Sequence, residues 1–311
     1  MKKEIIYSLS GLYRDDFRVT GYRFGTGEKT CCIIGSLRGD EIQSLYICSQ
    51  LVKELTDIEE KGELAHDKEV LVIPSANSFS MNIGKRLWCL DNTDINRMFP
   101  GNPGGETTQR IAAGIFNELK QYKYAVMYPS FYNPGIFVPH VRMTKTAKEN
   151  APLADMFGLP YIVLRTPIAL DRTTLNYNLQ MSGTAAFSVY TGATETINKS
   201  SAELGVTAAL RFLSEVGIIV GGSHGENTGL IINEDDMVNV RSMTAGIYLR
   251  TCEAGDEVLR GDVLAQIIHP YEGTVTAEIK APTDGIIFFA HEKPLVAENT
   301  LVFKMIKRMH K

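Results

Sequence analysis

The chain has 311 residues, 44% of them hydrophobic and 22% charged, with a formal net charge of -4. That is enough apolar material for one sizeable core and a smaller second one, which excludes a disordered chain. The acidic balance and the lack of any Lys/Arg run exclude nucleic acid as an expected partner.

From the N-terminus, Met1 to Tyr7 has a basic start, but the apolar stretch breaks at Ser8, Ser10 and Arg14. It is too short for a signal peptide or a bilayer span, so no membrane is expected and the location is read as cytoplasmic. The five cysteines (Cys31, Cys32, Cys48, Cys89, Cys252) are odd in number and contain no CxxC pair, so neither a disulfide framework nor a cysteine zinc site is signalled.

Up to about residue 220, short apolar runs alternate with helix-period segments, the pattern of an α/β domain with a mixed, largely parallel sheet. Residues 30–35 read as a buried strand carrying the thiols of Cys31 and Cys32. A helix is expected over 40–55, with Ile42, Leu45, Cys48, Val52 and Leu55 on one face and Asp40 and Glu41 in its first turn. Residues 70–74 form the next strand, and 75–105 hold too many Gly, Asn and Asp residues for regular structure, which marks a functional loop. A helix over 107–119, strands at 124–127, 161–164 and 187–191, and a helix over 199–216 with Val206, Ala209, Leu210 and Leu213 on one face complete this part.

Beyond Gly221 the runs at 230–232, 246–249, 263–268 and 285–289 are strand-like and separated by turn residues, so a small all-β domain follows. The expected domains are 1–222 and 223–311. Within the second, Gly255 to Leu264 and Ala281 to Gly285 resemble turns of biotinyl/lipoyl-type sandwiches, which makes a barrel-sandwich-like fold the expectation. The matching hairpin tip, His269 to Gly273, contains no lysine, so a carrier role is not expected.

Three segments bear chemistry. Asp94-Ile95-Asn96-Arg97-Met98-Phe99-Pro100-Gly101, preceded by Asn77 and Arg86, supplies an arginine whose planar fork matches a carboxylate. Gly35-Ser36-Leu37-Arg38-Gly39-Asp40-Glu41 stands at the C-terminal end of a strand, where α/β sheets place ligand sites. The third is Tyr124 to Ser130, followed by Pro139-His140-Val141-Arg142. Together they resemble the succinylglutamate desuccinylase/aspartoacylase family of the zinc carboxypeptidase superfamily, across essentially the whole first domain.

That resemblance implies a zinc-carboxypeptidase-like fold and a pocket in which Asn96 and Arg97 hold a substrate carboxylate, with Arg86, His140 and Arg142 beside it. It implies that Glu41 is the one retained zinc ligand, that Arg38 stands at a ligand histidine, and that Pro129 and Met127 stand at the second histidine and its supporting aspartate. It puts Tyr190 at the general-base glutamate, in the stretch Ser188 to Gly192, with Glu195 as a displaced candidate. A guanidinium has no lone pair to donate and proline no donor atom, so no cofactor is expected where the family has zinc. A phenol is a poor base at neutral pH unless strongly perturbed.

The expectation is an Arg38–Glu41 ion pair where the metal stood, with Arg38, Glu41 and Tyr190 at the catalytic positions. Three readings follow: a carboxylate-binding, hydrolase-like protein that has lost zinc hydrolysis; an active deacylase or carboxypeptidase-like hydrolase with an atypical metal site or metal-free chemistry through Tyr190, Ser130 or Arg38; and a structural or assembly protein. The expected partner is a small carboxylate-bearing ligand, and assembly into a homo-oligomer is left open. The bland alternatives are that Arg97 is tied to a structural Asp, and that His66, His224, His269, His291 and His310 are ordinary surface or loop residues.

Overall fold

The computed structural model describes residues 1–11, 15–221 and 229–308. The domain divide expected at 222/223, and His224 and His310, lie outside these residues. Two compact units result: Met1–Pro129, His140–Tyr190 and Thr194–Ile232 form the first, and Ser130–Pro139, Thr191–Ala193 and Asn233–Lys311 the second.

The first unit is built on one nine-stranded sheet. In chain order its strands are β1 (Lys2–Leu9), β2 (Phe17–Gly25), β3 (Glu28–Ser36), β4 (Lys68–Ser75), β5 (Tyr124–Met127), then, after β6 (Gly135–Phe137) of the second unit, β7 (His140–Thr144), β8 (Tyr161–Arg165), β9 (Ala185–Tyr190) and β10 (Leu230–Asn233). The spatial order is β1-β2-β4-β3-β5-β9-β7-β8-β10. The centre is parallel, β4 with β3, β3 with β5 and β5 with β9, whereas β1–β2, β2–β4 and β7–β9 are antiparallel. The expected mixed, largely parallel sheet is what forms. Residues 230–232, expected in the β domain, instead lie at the edge of this sheet beside β8.

The helices are α1 (Ile42–Glu60), α2 (Ser78–Met81), α3 (Thr107–Leu119), α4 (Ala151–Asp155), α5 (Leu175–Met181) and α6 (Lys199–Glu215). Central strands are covered on both faces, which is why they read as unbroken apolar runs. On β3, Cys31 and Ile33 join the core under α1 and α6, and Cys32 and Ile34 join the core under α3. Strands β4 and β5 alternate in the same way, Val70, Val72, Tyr124 and Val126 to the first core and Leu71, Ile73, Ala125 and Met127 to the second.

Helix α1 starts at Ile42, so Asp40 and Glu41 precede its first turn rather than occupy it. Its buried face is Gln43, Ser44, Ile47, Cys48, Leu51 and Leu55. Ile42, Leu45 and Val52 are only partly buried flanks, because packing, including the bonds of the Gln43 side chain to the backbone of Asn198, sets the rotation. No helix among the described residues is long and apolar enough to cross a membrane.

The second unit is all β. Its strands are β11 (Val238–Arg241), β12 (Gly246–Arg250), β13 (Glu257–Val258), β14 (Val263–Ile268), β15 (Val275–Lys280), β16 (Gly285–His291), β17 (Leu295–Val296) and β18 (Leu301–Lys307). One sheet runs β11-β18-β16-β13, with β6 pairing β16, and the other runs β15-β14-β12-β17. Segment 130–139 belongs here because β6 pairs with β16, Phe137 opposite Phe289 and Gly135 opposite His291.

Candidate functional site

The chain leaves β3 through α1 to β4 on one side of β3, and later returns through α3 to β5 on the other side. The C-terminal ends of β3 and β5 therefore flank a topological switch point, where the sheet opens a crevice for a ligand. The loop leaving β3 carries Arg38 and Glu41.

This loop is tightly held. The backbone N–H groups of Leu37 and Arg38 donate to one oxygen of Glu41 at 3.0 and 3.1 Å, and the Ser36 hydroxyl donates to the Arg38 carbonyl at 2.6 Å. Gly39 donates its N–H to the carbonyl of Arg86 at 3.1 Å. A Cβ on Gly39 would lie 2.3 Å from the Lys85 oxygen and 2.6 Å from the Met81 nitrogen, so only glycine lets the two loops touch.

Arg38 is 3% and Glu41 1% exposed. Nη1 of Arg38 reaches the second Glu41 oxygen at 3.2 Å. The other edge of the guanidinium takes Asp94: Nε lies 3.1 Å from both of its oxygens and Nη2 lies 2.9 Å from one. Asp94 is itself pinned as the cap of a 3-10 turn over Ile95–Arg97, accepting the Asn96 N–H at 2.9 Å. Burial acts to lower the Arg38 pKa, but the two carboxylates outweigh it and hold the group above its ordinary value, fully protonated.

The expected ion pair is thus a three-membered set, and Asp94 is the member that sequence reasoning did not assign. Its only signal was its place at the head of the Asp-Ile-Asn-Arg stretch.

The remaining residues divide between committed and open groups. Arg86 pairs with Asp40 at 3.2 Å. Burial raises the Asp40 pKa, Arg86 opposes this, and the charges of Glu41 and Glu195 add to it. The side-chain oxygen of Asn96 accepts the N–H of Leu175 at 3.1 Å and so anchors the start of α5. Asn77 caps α2 through Ser80, and its buried amide nitrogen has no hydrogen-bond partner among the described residues.

Arg97 is half-buried, and its side chain has no hydrogen bond or ion pair among the described residues. Burial lowers its pKa, and so does the charge of Arg38; Asp94, Asp171 and Tyr190 act the other way. Of the carboxylates that act on it, Asp94 is bound by Arg38 and Asp171 by Arg165 at 2.9 Å.

Strands β7 and β9 bring His140 opposite Tyr190. The two rings stack at 4.8 Å with 5° between their planes, and the Arg142 guanidinium lies 4.7 Å from the Tyr190 ring centre. All three are buried: His140 is fully inaccessible, and Arg142 and Tyr190 are each 7% exposed. Met127 is buried at the end of β5, and Ser130 belongs to the second unit. His66 is exposed and His269 partly exposed, as ordinary residues would be, but His291 is 3% exposed on β16, not a surface or loop residue.

A zinc ion does not fit the side chains at the positions implied for its ligands. Tight sites need three or four N, O or S donors. Here Arg38 and Pro129 offer none, and both Glu41 oxygens already accept hydrogen bonds. Among the described residues no group of three or more His, Cys, Asp or Glu side chains is arranged to hold a metal ion.

Comparison with known proteins gives a consistent picture. Residues 28–128 match the family described as succinylglutamate desuccinylase/aspartoacylase catalytic domain. An N-alpha-acetyl-L-2,4-diaminobutyric acid deacetylase of Halomonas elongata is 24% identical over 282 residues, covering 86% of this chain and 79% of that protein. In fold, the chain is similar to a succinylglutamate desuccinylase from Silicibacter sp. TM1040, with a TM-score of 0.81 at 18% identity over 97% of this chain and 92% of that one. It is also similar to a succinylglutamate desuccinylase/aspartoacylase from Rhodobacter sphaeroides, with a TM-score of 0.80 at 22% identity over 99% and 96%.

Proposed function

From the match of residues 28–128 to the succinylglutamate desuccinylase/aspartoacylase catalytic domain, we propose that this chain is a member of that family that binds a small acyl-amino acid or a peptide C-terminus through its carboxylate, without zinc-dependent hydrolysis. The observation that carries this reading is the Arg38 guanidinium, buried and bound at once to Glu41 and Asp94, at a position the family gives to a metal ligand. A fixed cation there hydrogen-bonds both carboxylates and keeps Glu41 from being buried unpaired without metal.

With Arg38 bound to two carboxylates, Arg97, which has no hydrogen bond or ion pair among the described residues, can take a ligand anion. Its planar fork suits a carboxylate, and its partial burial strengthens the pairing over that of a surface arginine.

The test is metal content together with ligand-induced stabilisation of the full chain. After exposure to zinc and desalting, far less than one zinc per chain should remain. N-acetylglycine, and N-acetyl-L-2,4-diaminobutyrate as suggested by the Halomonas relative, should raise Tm in proportion to RT ln(1 + [L]/Kd), with Arg97→Ala losing the effect. About one zinc per chain, removable by chelator together with hydrolysis of the N-acetyl compounds, would instead establish a metal-dependent deacetylase.

A further inference from the structure

We propose that the outer face of the β15-β14-β12-β17 sheet is a self-association surface, on which a second copy of this chain packs about a two-fold axis. The inference concerns the second unit alone and does not depend on the carboxylate-binding reading.

Strands send alternate residues to opposite faces of a sheet. Tyr248, Ile267 and Val296 are buried in the core of the unit, so Ile247, Ile268 and Leu295 beside them point outward. The register sets these residues in line: Leu295 opposite Ile247, Ile247 opposite Ile268, and Ile268 opposite Val275. Residues paired across strands share a face, so Val275 points outward with Ile268.

The solvated side of an antiparallel sheet is ordinarily polar. Here one aliphatic residue from each of the four strands makes an unbroken row, with Leu295 67% and Val275 52% exposed at its ends and the two isoleucines partly buried between them. Leu249, two residues along β12 from Ile247 and also 52% exposed, widens it. A contiguous apolar strip marks an interaction surface, whereas singly scattered residues do not.

The occupant follows from symmetry, charge and area. Read from either end, the row is an exposed aliphatic residue, two isoleucines and a second exposed aliphatic residue. A two-fold axis between β12 and β14 therefore lays Leu295 on the partner's Val275 and Ile247 on the partner's Ile268, each contact made twice, as an isologous interface requires. The row offers no hydrogen-bonding group, and the charges beside it on β15, Glu278 and Lys280, pair with each other at 3.2 Å. Such a face neither repels its own copy nor attracts a polyanion. Pairing through the edge of β15 is disfavoured, because its ladder with β14 is irregular at two places and the edge carries those charges. Four strands ~4.8 Å apart and about five residues of ~3.3 Å give roughly 300 Å² in projection, below the ~800 Å² per partner of a stable interface, so the dimer is a reversible one.

The experiment is sedimentation velocity of the full chain over a wide concentration range, for wild type, Leu295→Lys, Val275→Glu and the double variant, with circular dichroism to check folding. Wild type should pass from monomer to dimer as concentration rises. Either single change sets a charge against an aliphatic residue and should weaken the dimer at least about tenfold. The double variant brings opposite charges together across the two-fold and should recover most of that loss. A wild type that stays monomeric, a dimer that both single variants leave intact, or a loss that the double variant does not recover overturns the proposal. Wild-type monomer that instead sediments with phosphatidylcholine vesicles, and loses this in Leu295→Lys, overturns it in favour of a lipid surface.

Discussion

At the scale of single residues, the molecule turns on a buried guanidinium between two acids. Such a set contributes little net stability when whole, because desolvation offsets the Coulomb gain, yet losing one partner leaves an uncompensated buried charge. Arg38→Ala should therefore lower the unfolding free energy by ~3–5 kcal/mol, measured by denaturant titration. Adding Glu41→Gln to that variant should recover part of the loss, since the stranded charge at the 1%-exposed position is removed. A lone Arg38→Ala with the wild-type midpoint would mean that the ion pairs do not form. The Arg38–Glu41 half of this arrangement is legible in the sequence, the two residues being three apart. The Arg38–Asp94 half spans 56 positions and is created only when the loop after β4 folds back on the loop after β3. The uncommitted state of Arg97 follows from that hidden contact, so it too is invisible until the fold is known.

Among the elements, legibility follows burial. Strands β3, β4 and β5 and helices α3 and α6 stand out because both sheet faces are covered and the helices bury one stripe. Strands β1 and β2 do not, since they pair antiparallel at the sheet margin and alternate with Lys, Glu and Arg. β7 escapes because the polar residues His140 and Arg142 break its apolar run, although every residue of the strand is buried. β16 gives a pH prediction. Burial lowers the pKa of His291 from 6.5, the nearby charges of Lys293 and Arg250 push the same way, and the Pro134 carbonyl opposes them; the Tyr248 ring packs on it from β12 at 5.7 Å. The unfolded chain thus takes up the proton first, and the contribution of His291 to stability is complete above about pH 6.5 and lost as pH falls below it toward the folded value. Plotting the denaturant midpoint from pH 8 to 5, wild type should decline more steeply below that point than His291→Phe, and identical slopes would show that this imidazole is not held neutral.

For the whole molecule, the consequential feature is that the second unit is discontinuous in sequence. Composition marks a β-rich stretch after residue 221 but cannot mark 130–139 as part of it, because that segment sits among α/β elements and its three-residue strand has no periodicity to detect. Yet Phe137 packs at 5.7 Å on Phe288 and 4.7 Å on Phe289, Phe131 lies 5.4 Å from Phe289, and the Asn133 amide donates to the Leu301 carbonyl. Phe288 and Phe289 are fully buried, and without 130–139 they would face water along an unpaired edge of β16. A fragment of 233–311 alone should therefore bind a hydrophobic dye and unfold with a shallow transition, whereas the same fragment with 130–139 joined by a flexible linker should unfold cooperatively. In the full chain, Phe137→Ala should cost ~3–5 kcal/mol in the transition of this unit, the usual penalty for emptying a buried aromatic site. A 233–311 fragment that melts as sharply as the linked one would show that the short strand is an ornament on a self-sufficient β unit rather than a piece of its core.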